Sequence, residues 1–268
     1  MGELVFVGLG LFDELDMSLR GLEEVQKADF VYAEFYTSLM SGLSLENLKA
    51  KVGKEVRVVN RGILEEENGE PILQDAEQAK VAFLVPGDPL IATTHIDLKI
   101  RAEKRGIETR VVHGASIVSA AVGLSGLQNY RFGRSVTVPF PEEGFISETP
   151  YSVIAENQAR NLHTLCFLDI RAEERRYMTV KEALESLLSM EEEKKQGIVT
   201  PETLAVGVAR AGAEDVTVKA EKVRNLAGFD LGGPPHVLIF PADKLHFMEA
   251  EALITLAHAP DWVREMVK

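Results

Sequence analysis

Hydrophobic residues in this chain gather into short runs, and the runs are separated by polar turns rich in glycine and proline. The densest is Val81-Ala-Phe-Leu-Val85, which has no polar face and predicts a strand buried on both sides. It runs directly into Pro86-Gly87-Asp88-Pro89, where two prolines fix φ and remove two donors and a glycine opens backbone angles that other residues avoid. Neither a strand nor a helix passes through such a turn. Beyond it, Leu90, Ile91, Leu98 and Ala102 stand near helical spacing, predicting a helix that starts around residues 92–94. Similar runs at Leu4–Val7, Phe30–Ala33 (ended by Glu34), Glu55–Val59 and Glu108–Val112 read as further strands. Ser18 is placed to cap a helix whose apolar face carries Leu19, Leu22 and Val25. Strands alternating with helices predict an α/β fold with a parallel sheet in this half. Residues 60–71, with Glu65-Glu66-Glu67, read as a solvated face or loop.

The second half has a different rhythm. Ser135–Val138 predicts a strand, and the stretch 139–150 reads as a linker, which places a domain boundary between 138 and 139 and gives domains 1–138 and 139–268. Thr149-Pro150 reads as a cap followed by proline at the first helical position, with Tyr151, Ile154, Ala155 and Leu162 as the apolar stripe. Thr164–Leu168 is a strand ended by Asp169, and Thr179-Val-Lys-Glu182 is a capping box that opens a helix bearing Val180, Ala183, Leu184, Leu187 and Leu188. The charged run Glu191–Lys195 reads as the exposed end of that helix. Thr203–Ala209 and His236–Phe240 are further strands, with Arg210-Ala-Gly212 and Pro234-Pro235 at their ends, and Leu245, Met248, Ala252, Leu253 and Leu256 mark a final helix. A sheet of mixed direction is expected.

Three turns carry candidate chemistry. Gly8-Leu-Gly10 lets the backbone approach a ligand closely, although a dinucleotide fingerprint would need a third glycine where Asp13 stands. Asp88 sits at the carboxyl end of a buried strand, where open α/β sheets bind ligands; a plain helix cap is the competing reading. His113-Gly-Ala-Ser116 makes a tight strand-to-helix turn, and Ser116 can cap a helix start whose free N–H groups suit an anion or serve only the cap itself. No phosphate-binding loop, G-x-S-x-G elbow or paired histidine spacing occurs, so no metal centre is expected. His236, after two prolines at a strand start, reads by itself as a structural residue.

Composition narrows the classes. The chain has 268 residues, 46% hydrophobic and 26% charged, enough to bury a core in one large domain or two ordinary ones. A formal net charge of −13 argues against unspecific binding to nucleic acid or anionic membranes. The single cysteine, Cys166, has no partner for an internal disulfide, and no apolar run is long enough to span a bilayer. A soluble, cytoplasmic protein is expected.

Taken in order, Gly8–Asp13, Ala33–Met40, Gly87–His95, Phe167–Ile170, Ala209–Gly212 and Gly233–His236 resemble the tetrapyrrole-methylase-type S-adenosylmethionine methyltransferases and, within them, the diphthine synthase group. The resemblance spans nearly the whole chain, and only residues 139–150 have no counterpart that can be matched position by position. It implies two α/β domains with the cofactor cleft between them, usually as a homodimer. It also implies methylation of the amino group of a modified histidine on elongation factor 2, a step toward diphthamide. S-adenosyl-L-methionine is the implied methyl donor and S-adenosyl-L-homocysteine its product. Archaeal members give the trimethylated diphthine intermediate; eukaryotic ones add a methyl ester. Cofactor contacts carried over by position are Leu11, Asp88, Ile91, Ser116, Ile117, Phe167, Ala211 and His236, with Leu168 added as a neighbour.

Methyl transfer from a sulfonium to an amine is an in-line displacement that needs alignment more than acid–base machinery. The amine must arrive unprotonated, and the sequence names no group that deprotonates it. Two other readings stand beside this one: a methyltransferase of the same fold acting on a small tetrapyrrole, and a nucleotide-binding regulatory module without catalysis.

Overall fold

The apolar run around Phe83 becomes a strand inserted deep in a parallel sheet of a computed structural model that describes residues 2–142 and 144–268. The chain divides into two compact units, Met1–Ile117 with Ala172–Glu174, and Val118–Arg171 with Arg175–Lys268.

The sheet of the first unit contains β1 (Glu3–Gly8), β2 (Phe30–Glu34), β3 (Val56–Val59), β4 (Lys80–Val85) and β5 (Glu108–Val112) in the order β3-β2-β4-β1-β5. Every pairing in it is parallel. The helices of this unit are α1 (Leu19–Lys27), α2 (Leu45–Val52), α3 (Glu70–Gln78) and α4 (Ile96–Lys104). Side chains alternate across the pleat. Leu4, Phe6, Val81 and Phe83 point to one face and pack with Ile72, Leu73 and Ala76 of α3 and with Leu98 and Ala102 of α4. Val5, Val7, Ala82 and Leu84 point to the other, against Val25 of α1 and Leu48 and Val52 of α2. Covering both faces is what makes β1 and β4 apolar without alternation.

Several local expectations change. The helix after the Pro86–Pro89 turn begins at Ile96, later than 92–94, because Ala92 adopts a left-handed φ of +57° and the chain keeps turning to His95. The stretch 60–71 is solvated through residues 65–68, as expected, but it is helical rather than a loop: Gly62–Glu66 forms a π-helical turn and α3 opens at Glu70, with Pro71 in its first turn.

The second unit opens in α5 (Ile117–Ser125) and holds β6 (Val136–Val138), α6 (Thr149–Ala159), β7 (Thr164–Leu168), the short hairpin β8 (Ile170–Arg171) and β9 (Arg176–Tyr177), α7 (Val180–Lys194), β10 (Leu204–Ala209), β11 (Thr217–Lys222), α8 (Val223–Leu226), β12 (His236–Phe240) and α9 (Phe247–Leu256). Its main sheet runs β11-β10-β12-β7-β6, with β6 parallel to β7 and the remaining pairs antiparallel, so the mixed sheet is as expected. Val136–Val138 pairs with Cys166–Leu168, which places β6 in this sheet; the units therefore divide at residue 117 rather than 138. Residue 143, in the expected linker, lies outside the described residues. One face of the sheet is filled by Tyr151 and Ile154 of α6 and Ala183, Leu184 and Leu187 of α7. The predicted capping box at Thr179 and Glu182 is formed.

Two charged groups take unexpected inward roles. Glu191 is half-buried instead of ending an exposed run: it accepts from the Tyr151 hydroxyl at 2.7 Å and from the N–H groups of Gly197, Ile198 and Val199. In α9 the buried positions are Glu249, Ala250 and Leu253, while Met248 and Leu256 of the predicted stripe are 55% and 53% exposed. Glu249 is drawn in by hydrogen bonds from His163 and Arg131.

Candidate active site

Three strand-to-helix turns meet at the carboxyl end of the first sheet, where β4, β1 and β5 lie side by side. Gly10 and Gly87 form a two-way bridge: Gly87 N–H donates to Gly10 O at 2.6 Å, and Gly10 N–H to Gly87 O at 3.3 Å. Gly87 holds φ +68° and Gly10 φ +88°, angles that favour glycine. A Cβ placed on Gly8 would come within 2.5 Å of both Gly114 N and Gly87 O. The close approach of three backbones is what the glycines at the ends of β1, β4 and β5 make possible.

Asp88 stands on this platform with its side chain 6% exposed. Its Oδ1 accepts from Leu90 N–H at 3.1 Å, and its Oδ2 lies 2.7 Å from His113 Nδ1. Asp88 does cap its own turn, then, but α4 starts well beyond it, so the helix-cap reading does not describe it. Leu11 follows β1, in a loop folded over Asp16, whose Oδ2 accepts from the N–H groups of Leu11 (3.0 Å) and Phe12 (2.7 Å). Ile91 is 46% exposed, an apolar side chain left open beside Asp88. Ser116 and Ile117 stand at the start of α5, both half-buried. These five residues share one end of one sheet. A carboxylate beside an open apolar side chain suits a ligand with both a polar and an apolar part.

The other four predicted contacts share one end of the sheet in the second unit. Phe167 and Leu168 end β7, Ala211 follows β10, and His236 opens β12, with Val237 opposite Phe167 and His236 opposite Ala209. Leu168 and Ala211 are each 6% exposed; Phe167 and His236 are half-buried. Arg210, at φ +51°, frames this end. Its guanidinium donates to Leu231 O and Gly233 O, to Asp215 O and Thr217 Oγ1, and to the Asp215 carboxylate. Burial pushes the His236 pKa below its ordinary range, so the ring is neutral at neutral pH. Nε2–H donates to Gly232 O (3.0 Å) and Gly233 O (3.1 Å), and Nδ1 accepts from Val180 N–H (3.2 Å). With both nitrogens engaged, His236 offers a ligand its ring face, not a base.

Sequence reasoning missed the residues that hold these groups in place: His113 as the partner of Asp88, Asp16 beneath Leu11, Arg210, and a buried pair formed by Glu34 and His95. Only proline, glycine and capping patterns leave local signals; each of these acts through the fold. Cys166 is fully buried, and burial pushes its thiol pKa far up, which makes it an inert core residue. Among the described residues no group of three or more His, Cys, Asp or Glu side chains is placed to hold a metal ion, and no helix is long and apolar enough to cross a membrane.

Residues 3–227 match the family model of the tetrapyrrole (corrin/porphyrin) methylases. Diphthine synthase of Methanocella arvoryzae is 52% identical over 254 residues, covering 95% of this chain and 98% of its own. Diphthine synthase of Methanosarcina mazei is 50% identical over 270 residues, covering 99% of this chain and 100% of its own. A crystal structure of diphthine synthase superposes with a TM-score of 0.90 at 43% identity, covering 99% of this chain and 100% of that one. Coverage is essentially complete in both directions, so both candidate ends lie inside the shared region. The chain belongs to the tetrapyrrole methylase family and, within it, to the diphthine synthases, the S-adenosylmethionine-dependent methyltransferases of diphthamide biosynthesis.

Proposed function

We propose that the enzyme transfers methyl groups from S-adenosyl-L-methionine to the amino group of the modified histidine of elongation factor 2, giving trimethylated diphthine and releasing S-adenosyl-L-homocysteine. The observation that carries this reading is the 52% identity to a diphthine synthase over 95% of the chain, together with a built polar and apolar site at the end of β4, β1 and β5. Asp88, Leu11, Ile91, Ser116 and Ile117 in the first unit and Phe167, Leu168, Ala211 and His236 in the second are proposed as the residues that hold the donor. The split of the chain into two domains belongs to the same proposal.

The donor supplies a methyl group on a sulfonium sulfur. The chain's own task is orientation, since displacement requires the amine, the methyl carbon and the sulfur in line. As the N–CH₃ bond forms, the S–CH₃ bond breaks and the sulfonium charge passes to nitrogen. After the first two transfers a proton must leave before the next; the third leaves a quaternary ammonium with none to lose. Rigid backbone at Gly8, Gly10 and Gly87 favours alignment, since a frame fixed in advance spends little binding energy on ordering.

A cytoplasmic homodimer fits the same reading, with the exposed apolar side chains Ile96 and Ile100 of α4 as surface that a second copy can cover. Sedimentation at micromolar concentration gives a dimer mass on this reading and a monomer mass against it. The deciding experiment incubates the protein with methyl-labelled donor and elongation factor 2 carrying the unmethylated modified histidine. Label on that histidine, reaching three methyl groups, is expected. Donor binding without transfer to that acceptor removes the proposal.

A further inference from the structure

The diphthine synthase reading leaves two buried polar side chains at the carboxyl end of the first sheet without a task. Glu34 ends β2 and is fully buried; His95, 2% exposed, closes the turn that leads from β4 into α4. β2 and β4 are parallel neighbours, in register from Phe30 opposite Val81 to Ala33 opposite Leu84. Glu34 Oε1 accepts from His95 Nε2–H at 3.1 Å and from the Thr37 hydroxyl. Its Oε2 accepts from the N–H groups of Tyr36 (2.9 Å) and Thr37 (3.0 Å). The His95 ring stands edge-on to Phe83, with centroids 5.1 Å apart, and to Tyr36 at 6.3 Å.

A carboxylate so deep in a sheet is expensive to desolvate, and apolar side chains of similar volume would fill the space at lower cost. What an apolar pair cannot supply is direction. Four hydrogen bonds fix Glu34, and through Nε2 they fix both the position and the rotation of His95. His95 is the far end of a turn whose near end carries Asp88. The near end is anchored by the Gly10–Gly87 bridge, by the His113–Asp88 bond and by Thr93 Oγ1, which donates to Pro89 O at 2.7 Å. Between these anchors lie Ile91 and the left-handed Ala92. Without a second anchor, that segment would be free to swing about Pro89.

We propose that Glu34 and His95 are a positioning pair for the methyl donor: their hydrogen bond ties the far end of the Asp88–His95 turn to the loop after β2 and so sets where Asp88 and Ile91 stand. This rests on the reading that the turn holds the donor. The pair touches no reacting atom; it acts through the turn.

Two variants separate the bond from the ring. His95→Gln keeps a side-chain N–H donor within reach of Glu34 and removes the ring; His95→Phe keeps the edge contacts with Phe83 and Tyr36 and removes the donor. Binding of S-adenosyl-L-homocysteine to each folded variant is measured by calorimetry beside wild type and Asp88→Ala. His95→Phe is expected to bind at least about tenfold more weakly, the scale of one lost hydrogen bond to a charged group, while His95→Gln stays within about threefold of wild type. In turnover, His95→Phe raises the donor KM and leaves kcat at saturating donor unchanged, a split that general destabilisation does not produce. The amides of Leu90 and Ile91 exchange faster in His95→Phe than in wild type.

If His95→Phe binds as wild type does while Asp88→Ala is weakened, the positioning role is overturned and the donor site stands. If neither variant is weakened, both fall. A tenfold loss in His95→Gln shows that the ring rather than the bond is required, and overturns the proposal even where His95→Phe does not fold.

Discussion

The carboxylate of Asp88 and the imidazole of His113 meet at 2.7 Å across the end of β1, joining the turn after β4 to the turn after β5. One partner is buried and the other is 73% exposed on its side chain. Asp88 therefore has both oxygens committed, Oδ1 to Leu90 and Oδ2 to His113, in an orientation set before any ligand arrives.

Replacing Asp88 by alanine removes that group from the proposed donor site and strands its partners. Affinity for S-adenosyl-L-homocysteine is expected to fall by about 1–3 kcal/mol, the usual cost of a lost buried polar partner. Calorimetry on the folded variant checks this; unchanged affinity assigns Asp88 to the turn alone.

Gly8→Ala tests the three-turn platform. The new methyl would stand 2.5 Å from two backbone atoms, Gly114 N and Gly87 O, neither of which can rotate aside. A stability loss of about 3 kcal/mol or more is expected, at the upper end for overpacked sites. Urea denaturation measures it, and a loss below about 1 kcal/mol would mean the turns can spread.

Glu249 makes acid stability legible. Burial pushes its carboxyl pKa up, but hydrogen bonds from His163 and from the N–H groups of His246 and Gln128 outweigh burial and bring it from 4.5 down to about 2. A carboxylate depressed in the folded state stabilises at pH above its unfolded value, and the contribution fades as pH falls from 4.5 to about 2. Its size is on the order of 3 kcal/mol. Glu249→Gln should accordingly be less stable than wild type at pH 7, with the gap closing at acid pH. Denaturation of both proteins across that range decides it; a gap that stays constant excludes the linkage.

Tyr36 carries a buried hydroxyl that lies near Thr94 yet forms no hydrogen bond of acceptable geometry. Burial, then the charges of Glu34 and Glu65, push its pKa well above the ordinary phenol range, so it stays protonated. Tyr36→Phe keeps the ring against His95 and should be neutral or more stable by up to about 1 kcal/mol. Thermal melting reads the sign, and a clear loss of stability would reveal a partner for the hydroxyl.

How far the sequence discloses the fold depends on where each signal resides. β4 and its turn are plain because an unbroken apolar run meets two prolines and a glycine within a few positions. β11 is hidden because Thr217–Lys222 sits at the sheet edge with Ala220 as its one buried residue, so its lysines and glutamate read as surface. The strand at Val136–Val138 is visible, but its partner is not, since pairing leaves no mark on local pattern. The Asp88 and Ser116 turns stand out through glycine and capping chemistry. Glu34 and His95, 61 positions apart, become a pair only when β2 and β4 are neighbours.

The place of β1 inside its sheet, between β4 and β5, has a consequence for how the protein is made. Of this sheet's strands β1 is made before its partners β4 and β5, whose residues lie at 80–85 and 108–112, so one of its edges stays open while roughly seventy residues are added and the other while roughly a hundred are. β2 and β3 can pair with each other long before that. Closing the sheet is then a late, non-local event, of the kind that slows folding. Gly8, Gly87 and Gly114 come together only at that moment. A nascent chain halted before β5 would thus carry four of the sheet's five strands but no complete ligand site, and the appearance of donor binding would time the completion of the fold.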